Sequence, residues 1–137
     1  MVTQIFVNLP VKDLHAAVDF FTQTGFSFDE NFTDETATCM IVGNNIFVML
    51  LTYDKFRTFT PKPICDAATH TEVLVSLNCD SREQVDAKVR GAVAAGGSTY
   101  SEPQDHGFMY QHGFQDLDGH IWELFYMPAP SGAAAEG

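Results

Sequence analysis

The chain has 137 residues, 45% of them hydrophobic and 18% charged, ordinary globular usage that buries about two thirds of the unfolded surface without cross-links and excludes a disordered chain. Eighteen acidic against seven basic residues give a net charge of -11, a field that repels phosphate backbones and anionic lipids, so neither nucleic acid nor a membrane is expected as a partner. Cys39, Cys65 and Cys79 are odd in number and widely spaced, no apolar run approaches the roughly 20 residues of a bilayer span, and no basic-then-apolar leader opens the chain, so a cytoplasmic protein with reduced thiols is expected.

From the N-terminus, Ile5, Val7, Leu9 and Val11 alternate with Phe6, Asn8 and Pro10, the period of a strand with one packed face. From Asp13 to Thr24, Leu14, Ala17, Val18 and Phe21 recur at helical spacing, with Asp13 as N-cap and Gly25 just past the end. A short strand over Phe26 to Asp29 comes next. The runs from about Thr36 to Val42 and from Ile46 to Thr52 read as a hairpin turning at Gly43, Asn44 and Asn45. The stretch from Tyr53 to Thr69 lacks periodicity but carries Lys55, Arg57 and Lys62, three of the seven basic residues. It reads either as a solvated linker or as a rim that attracts anions.

The same order then returns. An apolar run covers Glu72 to Cys79, Ser81 and Gln84 form a capping box, and Val85, Val89, Ala92 and Val93 follow at helical spacing up to Gly96 and Gly97. Strands are expected near Ser98 to Ser101, from about Phe108 to Asp116 and from Ile121 to Met127, the last two joined by a turn at Asp116, Leu117, Asp118 and Gly119. With Phe6 superposed on Leu74, both halves read as βαβββ. Such a repeat implies a pseudo-symmetric domain in which each half buries a face the other leaves open. The expected organisation is one domain over residues 1–130, with module one at about 3–52, the connection at 53–69, module two at about 70–128, and a flexible tail at 131–137.

Val11-Lys12-Asp13-Leu14, Phe20-Phe21 and Gly25-Phe26, together with the run from Phe114 to Leu124 (FQDLDGHIWEL), resemble the vicinal oxygen chelate superfamily of glyoxalases, extradiol dioxygenases and bleomycin-resistance proteins. Leu117 stands where that family's FxDPDGxxxEL signature commonly has proline. The resemblance implies an α+β fold: two βαβββ modules forming a cup-shaped mixed sheet with helices on the outer face. It implies a homodimer, and metal ligands, where there are any, at four cup-facing positions that match Phe6, Val48, Leu74 and Glu123. Of these only Glu123 has ligand chemistry, whereas a divalent site needs about three or four converging nitrogen, sulfur or oxygen donors. No metal and no cofactor are therefore expected.

Strand alternation places Asn8 beside Phe6, Ser76 and Asn78 beside Leu74, and Gln111, Gly113 and Phe125 around Glu123. Gly113 either leaves room for a ligand or marks a bulge or close backbone contact. Glu123 is either a carboxylate satisfied by Asn8, Ser76 or Gln111, or a general base for a bound substrate. His106, in the loop Pro103 to Gly107, is a weaker catalytic candidate whose Asp-His-Gly setting is equally good turn chemistry. His112 alternates away from the cup, and His120 at a turn end is expected to face solvent.

These residues point to a protein that binds a small organic molecule in its cup, oriented by Asn8, Ser76, Gln111 and Glu123 and enclosed by Phe6, Val48, Leu74 and Phe125. Lys55, Arg57 and Lys62 would favour an anionic ligand. Two other readings stay open. One is an enzyme of the same family, either a metal-dependent lyase or dioxygenase or a metal-free isomerase with Glu123 as base. The other is a protein that works by association through exposed phenylalanines.

Overall fold

The computed structural model describes residues 1–128; the tail at 131–137 lies outside them. Strand β1 (Ile5–Val11) leads to helix α1 (Leu14–Gln23), then β2 (Ser27–Asp29), a single 3-10 turn, β3 (Ala37–Gly43) and β4 (Ile46–Thr52). After a short helix α2 (Tyr53–Arg57) come β5 (Leu74–Asn78), α3 (Arg82–Ala94), β6 (Gln104–Asp105), β7 (Tyr110–Gln115) and β8 (Ile121–Tyr126). Local chemistry sets these limits. Asp13 accepts from the Ala16 N–H to start α1, Ser81 accepts from the Gln84 N–H to start α3, and Asn45 takes the left-handed φ of 61° that turns β3 into β4.

The strands form two four-stranded mixed sheets, in the orders β1-β4-β3-β2 and β5-β8-β7-β6. In each, the first strand runs parallel to the last and the remaining pairs are antiparallel. This is the expected α+β architecture of two βαβββ modules. Two details differ. Ser98 to Ser101 is not a strand: Ser98 makes one bridge to Gln115, and the short strand lies at Gln104–Asp105 instead. Six residues separate Ser98 from Gln104, against four from Gln115 back to Gln111, so two surplus residues bulge out of the ladder. The connection at 53–69 begins with a helical turn, because the Thr52 hydroxyl caps α2.

One core runs through both modules. Leu9, Val11, Met40, Val48 and Leu50 face it from the first sheet, and Phe114, Trp122 and Leu124 from the second. Phe20 and Phe21 of α1 cross to the second sheet, with ring centroids 5.9 Å from Phe114 and 5.0 Å from Trp122 respectively. Trp122 has no exposed surface. Each fully buried side chain of this size contributes about 2–3 kcal/mol. No helix among the described residues is long and apolar enough to cross a membrane.

The β7–β8 turn is tied down by polar contacts. Asp116 accepts from the N–H groups of Asp118 and His120 and from the Trp122 indole, at 2.9, 3.0 and 3.0 Å. His120, only 4% exposed rather than facing solvent as its turn position suggests, donates through Nε2 to the Pro10 carbonyl at 2.7 Å. Asp118 accepts from the Lys12 N–H at 2.8 Å. The turn thus clamps the end of β1, joining the modules. Burial pushes the Asp116 carboxyl above its ordinary value, an effect that the His120 charge and the indole hydrogen bond oppose.

Asp116→Ala strands the indole and the His120 amide, each at about 1–3 kcal/mol. Thermal denaturation is expected to show a fall in Tm of roughly 10 °C; an unchanged midpoint would remove the clamp from this account.

Candidate functional site

On β8 the alternation sends Trp122 and Leu124 into the core and leaves Ile121, Glu123 and Phe125 on the opposite, open face. Glu123 lies between Ser76 of β5 and Gly113 of β7 in the ladder, and Gln111 pairs with Phe125. The Ser76 hydroxyl donates to Glu123 Oε1 at 2.5 Å. Beside this pair is a cavity of ≈ 220 Å³ walled by Tyr100, Ser101, Glu102, Gln104, Gln111, His112 and Glu123. A long contact of 3.5 Å from Gln111 Nε2 to Gln104 Oε1 bridges part of its wall.

Tyr100 comes from the bulged segment. Its register follows from the Ser98–Gln115 bridge: two residues further on, Tyr100 falls opposite Gly113. A Cβ at Gly113 would collide with the Tyr100 hydroxyl and come within 2.8 Å of the Trp122 carbonyl. Gly113 is therefore a close-approach glycine, and the room opposite Glu123 is taken by the chain's own phenol. Partial burial, with the nearby Glu123 charge adding to it, pushes the Tyr100 phenol above its ordinary value. At neutral pH it is an uncharged donor facing a carboxylate across a small cavity.

Of the residues expected at the site, Ser76, Gln111, Gly113 and Glu123 come together. Val48 does not: β4 pairs Val7 with Val48 and Asn8 with Met49, so Val48 is buried on the core side and Met49 is the residue beside Asn8. By the same register Met49 is the counterpart of Glu123. Phe6 and Asn8 lie on the open face of the other sheet, Phe6 stacked on Phe47 at 4.8 Å, and no residue of module one walls the cavity. Leu74 and Phe125 extend the second sheet's open face beyond the cavity. Arg57 is elsewhere, paired with Asp54 at 3.1 Å and lining a separate depression with Lys12, Tyr53 and Asp66. His106 is exposed outside the cavity wall with its ring near Phe108. His112 borders the cavity, yet it alternates with Gln111 and Gly113, and its Nδ1 is buried without a partner among the described residues.

At the four corresponding positions, Phe6, Met49, Leu74 and Glu123, one carboxylate stands with two hydrocarbons and a thioether. Among the described residues no three His, Cys, Asp or Glu side chains gather as a metal site. This donor set does not match a divalent cation that seeks several oxygen or nitrogen ligands. Sequence reasoning missed Tyr100, Ser101, Glu102 and Gln104. The signal for Tyr100 was present, because a strand at Ser98 laid antiparallel on β7 puts it over the one glycine of that strand.

Residues 3–124 match the family model described as Glyoxalase/Bleomycin resistance protein/Dioxygenase superfamily. Among solved structures, the hypothetical protein SA1046 from S. aureus is 26% identical with a TM-score of 0.78, over 92% of this chain and 94% of that one. A glyoxalase-related enzyme from Fulvimarina pelagi has a TM-score of 0.79 at 18% identity, over 93% and 91%. The genomically encoded fosfomycin resistance protein FosX from Listeria monocytogenes has 0.66 at 17%, over 93% and 94%. No curated protein matches the chain in sequence.

At the outer edge of the site, Arg82 donates to Asp105 at 2.6 Å, and its guanidinium with the Gly107 N–H pulls the Asp105 carboxyl down to about 2. A depressed acid contributes stability that is present above its ordinary value of 3.8 and lost as pH falls through about 2, so this tie holds at neutral pH. In Arg82→Ala, NMR titration of Asp105 is expected to move its midpoint up towards 3.8. A midpoint still near 2 would mean that another group holds β6 in place.

Proposed function

This chain belongs to the glyoxalase/bleomycin resistance protein/dioxygenase superfamily, and on that premise we propose that it binds a small organic molecule beside Glu123 without a metal centre. The observation that carries the reading is the Glu123 cavity itself: a carboxylate held by one serine hydroxyl, facing a neutral phenol, with amide side chains at the rim and no cluster of three metal donors among the described residues. Small-molecule sites commonly combine a few placed polar groups with an apolar surround, here the open strand face of Leu74, Ile121 and Phe125. The same pair of groups favours one second reading, a metal-free proton-transfer enzyme in which Glu123 removes a proton and Tyr100 donates a hydrogen bond to the charge that develops. The protein acts in the cytoplasm, where its three cysteines remain free thiols.

A thermal-shift screen against divalent metals and a panel of metabolites and antibiotics, with and without chelator, tests the binding reading. Organic compounds are expected to raise the midpoint of the wild type and to lose most of that effect in Glu123→Gln. A large shift with a metal alone, abolished by chelator, would overturn it.

The chain pairs as a homodimer in this reading. Both sheets leave their open faces and first strands uncovered, with Phe6 48% and Leu74 53% exposed, and a second copy presents matching apolar surface. Sedimentation equilibrium is expected to give twice the 15.1 kDa chain mass, and Leu74→Glu to shift the population towards single chains. A wild type that stays single at tens of micromolar would remove the second copy from this account.

A further inference from the structure

We infer that the ligand of the Glu123 cavity is an organic cation, an ammonium head on a small apolar body. This rests on the binding reading above and adds the ligand's charge. The wall holds two carboxylates, Glu102 and Glu123, and no lysine or arginine. The basic side chains with described contacts are engaged elsewhere. Arg57 pairs with Asp54 and Arg82 with Asp105, Lys88 donates to the Thr24 carbonyl over the Phe26 ring, and Lys55 lies over Phe59. Lys12 borders the separate depression that contains Arg57.

No lysine or arginine in the cavity wall neutralises Glu123. Its one hydrogen bond, from Ser76, uses Oε1, and Oε2 has no partner among the described residues. A ligand carboxylate would have to enter beside two uncompensated negative charges, a juxtaposition that is repulsive at any separation the cavity allows. An ammonium group meets the opposite situation. It gains the free carboxylate oxygen, and Tyr100, held as an uncharged phenol, adds an aromatic ring at the cavity wall that attracts cations. The volume of ≈ 220 Å³ is below the roughly 300 Å³ of pockets that enclose a whole drug-sized molecule. It receives a head group, and the apolar body lies along the strand face at Leu74 and Phe125. The net charge of -11 steers cations to the protein from a distance.

Anionic selection by Lys55, Arg57 and Lys62 has no geometric basis at this cavity, since none of the three is in its wall.

Isothermal titration calorimetry with four probes of one shape decides the matter: benzylamine, benzyltrimethylammonium, benzyl alcohol and benzoate, at pH 7 and low salt. Both cations are expected to bind at least tenfold more tightly than the alcohol, with benzoate weakest and the cation affinities falling as salt is added. Glu102→Gln and Glu123→Gln, checked for folding by circular dichroism, should each lower cation affinity about tenfold and weaken the alcohol by a smaller factor. Tyr100→Leu should weaken benzyltrimethylammonium, and Tyr100→Phe should keep it, because the ring is retained. Equal or tighter binding of benzoate or benzyl alcohol overturns the inference and leaves the binding reading standing. Failure of all four probes also overturns the inference, and the binding reading itself fails only if no organic compound in the thermal-shift panel stabilises the protein.

Discussion

The burial of Trp122 is the contact on which the rest of the molecule depends. Its indole has no exposed surface, it is surrounded by Phe21, Phe26 and Phe114, and its one polar atom is satisfied by Asp116. Because a strand alternates its faces, fixing residue 122 inward fixes 121, 123 and 125 outward. A slip of one residue would drive the Glu123 carboxylate into an apolar core and expose the largest side chain in the protein. The energies of both changes point the same way, so register and site orientation are set together. The Asp116 clamp acts on the same end of β8. It anchors the turn to Pro10 and Lys12, so the strand that carries Glu123 is referenced to module one as well as to its own sheet.

The two modules share a backbone plan and divide the chemistry unequally. The open face of the first sheet carries Phe6, Phe47, Met49 and Ile41, with Asn8 as the polar exception. Its counterpart carries Ser76, Glu123 and Gln111, and it gains Tyr100 and Glu102 from a bulge that the first module lacks. Duplication explains why the sheets superpose; two surplus residues between Ser98 and Gln104 explain how Tyr100 and Glu102 reach the cavity beside Glu123.

What was legible in the sequence follows from which signals are local. Helices α1 and α3 were read correctly because Asp13, Gly25, Ser81 and Gln84 mark their ends within a few residues, whereas the short α2 was not read. The last hairpin was also legible, including Gly113 opposite Glu123, since one turn sets the register of both strands. Val48 was misplaced because the fourth strand of the first sheet is nearly all apolar, Ile46 to Leu51, and a continuous apolar run gives no alternation from which to tell the faces. Only its pairing with β1 distinguishes Val48 from Met49. His120 was misjudged for a related reason. Its partner, the Pro10 carbonyl, is 110 residues away and leaves no local trace. Tyr100 lay in a segment read as strand, where the bulge that turns it towards Glu123 depends on where pairing resumes rather than on any residue type.

The lone carboxylate at the Glu123 position narrows what the site can do more than its presence alone implies. A metal centre would draw the charge of Glu123 into coordination, and the open face would then present a Lewis acid to the ligand. With Phe6, Met49 and Leu74 at the other positions, no other donor stands beside the carboxyl, and the Ser76 hydroxyl meets only one of its oxygens. The open face beside Glu123 accordingly offers a hydrogen-bond acceptor, the reverse of what a bound cation would provide. A backbone plan that can present an electrophile thus presents, through three side-chain identities, a base or an anion.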